Sequence, residues 1–368
     1  MDNHDIRFMK KALKQARKGI GRTSPNPPVG AVIVRDGEVI ASGYHKMAGA
    51  NHAEVEALDS LNTDIRPGDS MYVTLEPCNH HGKTPPCTEA IIQKGIKKVV
   101  VGIPDPNPKV EGHGIEFLRQ HQIDVKVGLL ENECNRVIEA FKKLQLTGRP
   151  FVIAKSAQTL DGWTGTSTGH SKWITNEKSR KFVHNLRDKV DGIMVGVGTI
   201  IADDPSLTTR LRHQNTKDPI RIVLDTNLRI MHNSKVLNHD SSSETFIVAG
   251  EFVSADAVKE VKRKGVSIIK CPVRDGRIDL SALMAILGRM SIMSVLVEGG
   301  AAVMGSMIRE KLIDKFYVFK APRILGGNDG IPMADGKGPE KIDGSLNLKD
   351  IRVRRLGDDV LIRGYAAY

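Results

Sequence analysis

The sequence predicts an α/β protein built from two domains. Short runs of β-branched residues alternate with helical patterns along the chain, and Gly, Pro, Asp or Asn bound most of the runs. With 368 residues, 40% of them hydrophobic, the chain is long enough to form two cores. A Gly-Arg-Pro sequence at 148–150 interrupts the pattern before a new strand begins. We therefore predict one domain over residues 1–147 and a second over residues 148–368.

The first domain opens with an amphipathic helix, because Ile6, Met9, Leu13 and Ala16 share one face. Later helical patterns begin near residues 53, 88, 114 and 132. The strands of this domain are expected within 29–34, 38–44, 71–76 and 97–103. Those of the second domain are expected within 151–157, 192–198, 220–225, 245–250, 266–271, 294–300 and 315–321. This alternation predicts sheets covered by helices.

Charge and composition narrow the function. The net charge is +11, and residues 1–146 carry 20 basic against 18 acidic residues, so most of the excess lies in the second domain. Such an excess suits nucleic acid or small anionic ligands. Aromatic residues make up only 4% and are not interleaved with basic stretches, which favours small anions over nucleic acid. No apolar run approaches the roughly 20 residues that span a bilayer, and no signal peptide is recognisable. We predict a cytoplasmic protein without a membrane or nucleic-acid partner.

The strongest motif combines His52-Ala53-Glu54 with the stretch LEPCNHHGKTPPC at 75–87. One histidine and two cysteines, His52, Cys78 and Cys87, match the ligand set of a zinc site with one open position, where a bound water loses its proton near neutral pH. Glu54 is placed to move that proton to a leaving amine, as in zinc deaminases. Eight residues separate the cysteines where two are usual, so the intervening segment must loop out. Cys134 and Cys271 lack such neighbours and are interpreted as structural.

In these motifs, in Ser24 to Ala31 and in the later LDG and VEGG segments, the sequence resembles the bifunctional riboflavin-biosynthesis deaminase/reductase family. The resemblance covers nearly the whole chain. It implies a cytidine-deaminase-like αβα domain followed by a dihydrofolate-reductase-like α/β domain. It also implies a phosphorylated pyrimidine substrate, 2,5-diamino-6-(5-phosphoribosylamino)pyrimidin-4-one, and a homo-oligomer.

The resemblance implies substrate contacts in the first domain. Asn26 occupies a motif position, and its amide offers a donor and an acceptor to a pyrimidine edge. The alternative is that Asn26 only organises a proline-rich turn, and the ligand role is favoured. His80 and Lys83, in the segment between the cysteines, are expected to contact the ring or the phosphate. A substrate role for His45 cannot be separated from that of an ordinary loop histidine.

In the second domain, residues 294–312 read as a strand, a double-glycine turn and a helix. Gly299 and Gly300 fit close approach to a phosphate at a helix amino terminus, but such a turn can also serve packing alone. The family resemblance extends to 155–157, 160–162, 171–175, 198–199 and 202–208. It implies that NADPH is the cofactor. The implied NADPH contacts are Lys155, Ala157, Trp173, Thr199, Asp203, Gly299, Gly300, Ala301, Ala302, Val303, Met304, Gly305 and Ser306.

The implied substrate contacts in the reductase are Ser171, Arg187, Leu207, Arg210 and Glu298. A guanidinium suits a ribose phosphate and a carboxylate suits sugar hydroxyls, although Arg187 alone would read as part of a solvated helix face. The implied reaction transfers hydride from NADPH to the ribose C1 carbon, and Lys155 or Asp203 is expected to handle a proton.

Two other functions compete with this prediction, a transfer-RNA adenosine deaminase and a non-catalytic zinc scaffold. The nearly neutral first domain argues against the former and Glu54 against the latter.

Overall fold

The computed structural model describes residues 3–368 except 82–84, 108–109, 111–112, 212–215, 239 and 263–265. The chain forms two compact units, Met1–Gly148 and Arg149–Tyr368. Both are sheets flanked by helices, so the α/β class predicted from the sequence is confirmed. No helix in the described ranges has the length and apolarity that crossing a bilayer requires.

The described part of the first unit contains a five-stranded sheet in the order β2-β1-β3-β4-β5. Strand β1 is antiparallel to β2 and β3, whereas β3, β4 and β5 run parallel. The strands are β1 Gly30–Arg35, β2 Glu38–Tyr44, β3 Ser70–Val73, β4 Lys98–Val101 and β5 Asp124–Val127. The helices are α1 Asn3–Gly19, α2 Ala53–Asp59, α3 Cys87–Gln93, α4 His113–Gln120, α5 Glu131–Val137 and α6 Glu139–Thr147.

The amino-terminal helix packs directly on β1, the strand between β2 and β3. Five of the six residues of β1 are buried, as expected of a strand covered on both faces. A Cβ atom on Gly30 would lie 2.2 Å from the carbonyl oxygen of Ala12, so only glycine permits this close approach of α1. On the predicted apolar face, Met9, Leu13 and Ala16 are buried and Ile6 is partly exposed.

The second unit has a nine-stranded sheet in its described residues, in the order β10-β9-β8-β7-β13-β6-β14-β16-β15. The first seven strands in this order, which end with β14, run parallel to one another. The last two, β16 and β15, are antiparallel and form one edge of the sheet. The strands are β6 Phe151–Gln158, β7 Gly192–Gly196, β8 Ile220–Leu224, β9 Thr245–Gly250, β10 Ser267–Cys271, β11 Val273–Arg274, β12 Arg277–Ile278, β13 Ser294–Val297, β14 Lys315–Lys320, β15 Asn347–Leu356 and β16 Asp359–Ala367. The helices are α7 Glu177–Arg187, α8 Val197–Asp203, α9 Ala255–Lys262, α10 Leu280–Arg289 and α11 Ala301–Arg309.

Four features of the fold were not predicted, one of which is the short antiparallel pair of β11 and β12. Strand β5 and the carboxy-terminal pair β15 and β16 are additional to the expected strands. The helical stretch expected over 132–146 is divided at Ile138, where the backbone leaves the helical region with φ −103° and ψ 17°. The apolar spacing continues across this residue, so the sequence pattern does not reveal the break.

Candidate active sites

The three predicted zinc ligands come together at the amino termini of two helices. His52 precedes α2 with an extended backbone, and Cys87 is the first residue of α3. Nδ1 of His52 lies 3.3 Å from Sγ of Cys87 and 3.4 Å from Sγ of Cys78. The three ligand atoms all lie within 4.8 Å of one another. The looped segment between the cysteines thus returns Cys87 to Cys78.

This donor set fits zinc. Tetrahedral Zn–N and Zn–S bonds of about 2.05 and 2.3 Å would separate nitrogen from sulfur by about 3.5 Å, close to the observed spacing. One histidine and two cysteines leave a fourth position for water, as in catalytic rather than structural zinc sites. The chemistry and spacing of the donors therefore both agree with the sequence prediction.

Glu54 is the second residue of α2 and lies beside the metal ligands. The residue is only 3% exposed, and this burial raises the pKa of its carboxyl group to about 7, although the nearby His52 opposes the shift. Its carboxylate also interacts with the Cys87 thiol. A carboxyl group shielded from bulk water can exchange a proton with a ligand in the adjoining cavity.

A cavity of 490 Å³ opens onto His52, Glu54 and Cys78. This volume lies within the usual range for small-molecule sites. Asn26 and His80 line it, as expected of substrate contacts. Lys83 lies outside the described residues, so its expected role stays a prediction.

A hydrogen-bond chain orients Asn26 in the cavity. The Nδ1 atom of His45 lies 3.0 Å from the carbonyl oxygen of Asn51, which can only accept, so Nδ1 carries the ring proton. Nε2 of His45 then accepts a hydrogen bond from the Asn26 amide nitrogen at 3.1 Å. Burial lowers the pKa of His45, consistent with this neutral ring. The Asn26 carbonyl oxygen is thereby distinguished from its amide nitrogen.

Sequence reasoning missed the far wall of the cavity, which includes Glu76, Asp105 and Asn107. The buried Glu76 carboxylate accepts hydrogen bonds from the backbone N–H groups of Asp105, Gly114 and Ile115 at 3.0 to 3.1 Å. It therefore fastens the loop after β4 to the start of α4. The signal was the Pro-Asp-Pro-Asn-Pro sequence at the carboxyl end of a parallel strand, where α/β proteins commonly bind ligands.

In the second unit, three of the predicted residues form a charge cluster whose side chains are only 7 to 18% exposed. Arg187 donates two hydrogen bonds to the Glu298 carboxylate, at 2.8 and 3.0 Å. Nζ of Lys155 lies 3.7 Å from the same carboxylate. Burial alone would raise the pKa of Glu298, but the positive charges of Arg187 and Lys155 outweigh it and lower the pKa to about 2. Arg187 thus has a structural partner and does not belong to a solvated helix face.

The double-glycine turn between β13 and α11 combines a tightly packed glycine with an exposed one. A Cβ atom on Gly299 would lie 2.5 Å from Cα of Val195, so packing against β7 requires glycine here. Gly300 is exposed, and its N–H donates to Oγ1 of Thr199 at 3.0 Å. Gly305 lies under the loop at Asp335, whose carbonyl oxygen a Cβ would meet at 1.9 Å. NADPH contacts by this segment stay predictions.

The remaining residues of 301–306 differ in their accessibility. Met304 is 3% exposed and belongs to the core, whereas Ala302 is exposed and Ala301, Val303 and Ser306 are partly exposed. Side-chain access to a cofactor is therefore greatest at Ala302.

Other predicted reductase residues follow the same sheet edge. Ala157 is near the carboxyl end of β6, and Thr199 lies just beyond β7, which places both where open parallel sheets bind cofactors.

Trp173 is 61% exposed and packs one face of its ring on the guanidinium of Arg180, 4.6 Å away. Asp203 pairs with Lys172 at 3.6 Å. Ser171 packs near Gly165, with its Cβ 3.7 Å from the position that a Gly165 Cβ would take.

Comparison with known proteins matches each of the two units to a protein family. The RibD C-terminal domain family matches residues 150–362, and the cytidine and deoxycytidylate deaminase zinc-binding region matches residues 2–103. The chain is 42% identical to the riboflavin biosynthesis protein RibD of Aquifex aeolicus over 97% of both chains. It is similar to the solved structure of Acinetobacter baumannii RibD, with a TM-score of 0.88, 34% identity and 99% coverage of both chains. A Thermotoga maritima structure is described as a diaminohydroxyphosphoribosylaminopyrimidine deaminase and 5-amino-6-(5-phosphoribosylamino)uracil reductase. It matches with a TM-score of 0.86, 35% identity and 99% coverage of both chains.

Proposed function

The chain belongs to the RibD family of riboflavin-biosynthesis proteins, and from that premise we propose the substrates, cofactors and residues of its two reactions. It is a bifunctional enzyme with a zinc-binding deaminase unit and a reductase unit. The proposed deaminase substrate is 2,5-diamino-6-(5-phosphoribosylamino)pyrimidin-4-one. Its deaminated product is then the substrate of the reductase.

In the deaminase, His52, Cys78 and Cys87 would hold zinc, which supplies a water of lowered pKa. Glu54 would carry a proton from water to the departing amine, while the water oxygen bonds to the ring carbon, the C–N bond breaks and the amine leaves as ammonia. Its burial shields the proton from bulk solvent during this transfer. Asn26, fixed by His45, offers its carbonyl oxygen and its remaining N–H to the edge of the pyrimidine ring. His80 and Lys83 contact the ring or the phosphate.

In the reductase, bound NADPH would supply a hydride to C1 of the ribosyl group as the bond between C1 and the ring oxygen breaks. Lys155 or Asp203 would supply the proton that the ring oxygen gains, which completes the ribityl chain. The turn at Gly299 and Gly300, with Thr199 behind it, is the proposed cofactor site. Helix α11 begins there with backbone N–H groups suited to a phosphate. Glu298 lies just past the carboxyl end of β13, and Lys155 lies beside it on the neighbouring parallel strand β6, so we propose that the substrate binds next to them.

The substrate's phosphate and sugar fit the remaining proposed contacts. Arg210 suits the phosphate, and Ser171 and Arg187 complete the side-chain contacts. The Leu207 side chain belongs to the core, so its proposed contact is through the backbone. A cytoplasmic location, a homo-oligomeric state and the absence of nucleic-acid partners are part of the same proposal.

The observation that carries the proposal is the His52, Cys78 and Cys87 cluster beside a buried Glu54 at the wall of the cavity. The test supplies zinc-loaded protein with the diaminopyrimidinone substrate and NADPH, and follows ammonia release and nicotinamide absorbance together. Glu54→Gln is expected to lower ammonia release by at least about 100-fold, as for loss of a general acid or base. It should still reduce the deaminated intermediate.

Glu56→Gln is the matched control, because Glu56 lies on the same helix and pairs with Lys46 at 2.6 Å. It is expected to retain ammonia release. Normal ammonia release by Glu54→Gln would exclude Glu54 as the catalytic group. Ammonia release by the wild type without NADPH oxidation would show that the second unit has been given the wrong reaction or cofactor.

A further inference from the structure

The loop that follows α8 has an unusual backbone. Asp204 and Leu207 both adopt the left-handed region, with φ of 41° and 54°. Residues other than glycine rarely take this conformation, so the surrounding contacts must maintain it. The Leu207 side chain is buried at 3% exposure, whereas Arg210, three residues further along the loop, is exposed. The loop therefore exposes the Arg210 guanidinium while contacts with the rest of the unit hold its backbone in an unfavourable conformation.

Two residues of α7 supply that support. His184 and Arg187 lie three positions apart and so share one face of the helix. Nη1 of Arg187 donates to the Thr208 carbonyl oxygen at 2.9 Å, and the Arg210 N–H donates to Nδ1 of His184 at 3.2 Å. Helix α7 thus holds the backbone of the loop at two points, one of which is Arg210 itself.

The imidazole of His184 is suited to accept this hydrogen bond. Burial and the positive charges of Arg187 and Arg210 lower its pKa to about 4, although Glu298 and the Thr208 carbonyl oppose the shift. The ring is therefore neutral at physiological pH, and Nδ1 is free of a proton when it faces the Arg210 N–H. The Arg210 side chain is also oriented, because its Nη2 donates to Oγ of Ser206 at 2.9 Å.

We propose that His184 is a positioning residue of the reductase, which holds the Arg210 backbone so that the guanidinium meets the phosphate of the substrate. This inference rests on the proposed function, in which Arg210 contacts the phosphorylated pyrimidine. His184 acts through Arg210 and does not touch the substrate. Its loss should weaken binding of the phosphorylated substrate while leaving hydride transfer and NADPH binding unchanged.

Two amide variants that differ by one methylene group test the proposal. Asparagine places its Oδ1 close to the position of the imidazole Nδ1, whereas glutamine carries its amide further, toward Nε2. With purified deaminated intermediate and NADPH, His184→Asn is expected to keep the wild-type KM. His184→Gln should raise the KM for the intermediate about tenfold, the effect of losing one hydrogen bond. The kcat and the KM for NADPH should stay within about twofold of the wild-type values for both variants. The reason is that His184 acts through the Arg210 backbone and contacts neither the substrate nor NADPH in this proposal.

Asn185→Ala is the matched control, because Asn185 lies on the same helix and bonds only locally to the Lys181 carbonyl in the described contacts. Its KM should equal that of the wild type. A normal KM for His184→Gln, or an equal rise in KM for both amide variants, would overturn the positioning role. Failure of the wild-type protein itself to oxidise NADPH would overturn the reductase assignment, and this inference with it.

Discussion

Replacing Glu298 with glutamine is expected to destabilise the second unit by about 3 kcal/mol at pH 7. The carboxylate is 7% exposed and binds Arg187 through two hydrogen bonds, with Lys155 nearby. The neutral amide would leave two buried cations without their counter-charge. Breaking a buried ion pair by removing one partner commonly costs about 3 to 5 kcal/mol, in agreement with this value.

The magnitude follows from the pKa of Glu298. The charges of its partners outweigh the effect of burial and lower the pKa from 4.5 to about 2. A shift of about 2.5 units corresponds to about 3 kcal/mol. Because the folded pKa lies below the unfolded one, this contribution is complete above about pH 4.5 and disappears as the pH falls toward 2. The difference between wild type and variant should therefore shrink to about 1.4 kcal/mol at pH 3.

Urea unfolding followed by tryptophan fluorescence measures this unit directly, because both tryptophans, Trp163 and Trp173, belong to it. Asp203→Asn, which removes the exposed pair with Lys172, is the control and should change the free energy of unfolding by less than about 1 kcal/mol. A stability difference for Glu298→Gln that stays constant between pH 7 and pH 3 would refute the electrostatic explanation.

Two further predictions concern packing and metal binding. Gly305→Ala is expected to lower the free energy of unfolding by about 2 kcal/mol in urea, because the new Cβ would overlap the Asp335 carbonyl oxygen. Gly198→Ala, with no atom within 4 Å of its new Cβ, should be neutral or stabilising, and equal effects in the two variants would contradict the packing role. Cys87→Ser is expected to lose most of its zinc in metal analysis and to stop releasing ammonia, since it removes one of three ligands. Cys134→Ser should keep zinc, because that buried thiol faces the Leu129 carbonyl oxygen, and equal zinc contents would disprove the ligand assignment.

The sequence located most strands because their apolar runs are buried on both faces, as in β1 and β9. Strand β5 was missed because three of its four residues, in the run DVKV, are exposed and two are charged. Strand β15 was missed for a similar reason, since NLKDIRVRRL is almost wholly exposed and rich in arginine. Hydrophobic patterns report burial, and an edge strand can pair through its backbone alone.

In the candidate sites, likewise, some residues could be predicted from the sequence and others could not. His52, Glu54, Cys78 and Cys87 were found because metal chemistry restricts both residue type and spacing. His184 was not found, because its contact is to the Arg210 backbone and depends on a loop conformation that no motif encodes. Contacts of this kind become visible only when two distant segments are placed side by side.

The order of strands in the second unit has a consequence for biosynthesis. Strand β6, the first of this unit, lies between β13 and β14, so Phe151 pairs with Ser294. A ribosome must add about 140 residues after β6 before either neighbour exists, and closing so long a loop is slow. The first unit has all its strands by residue 127 and can fold while translation continues. Until then the apolar FVIA segment of β6 is unpaired and can associate with other chains. We therefore expect this segment of the nascent chain to need a chaperone.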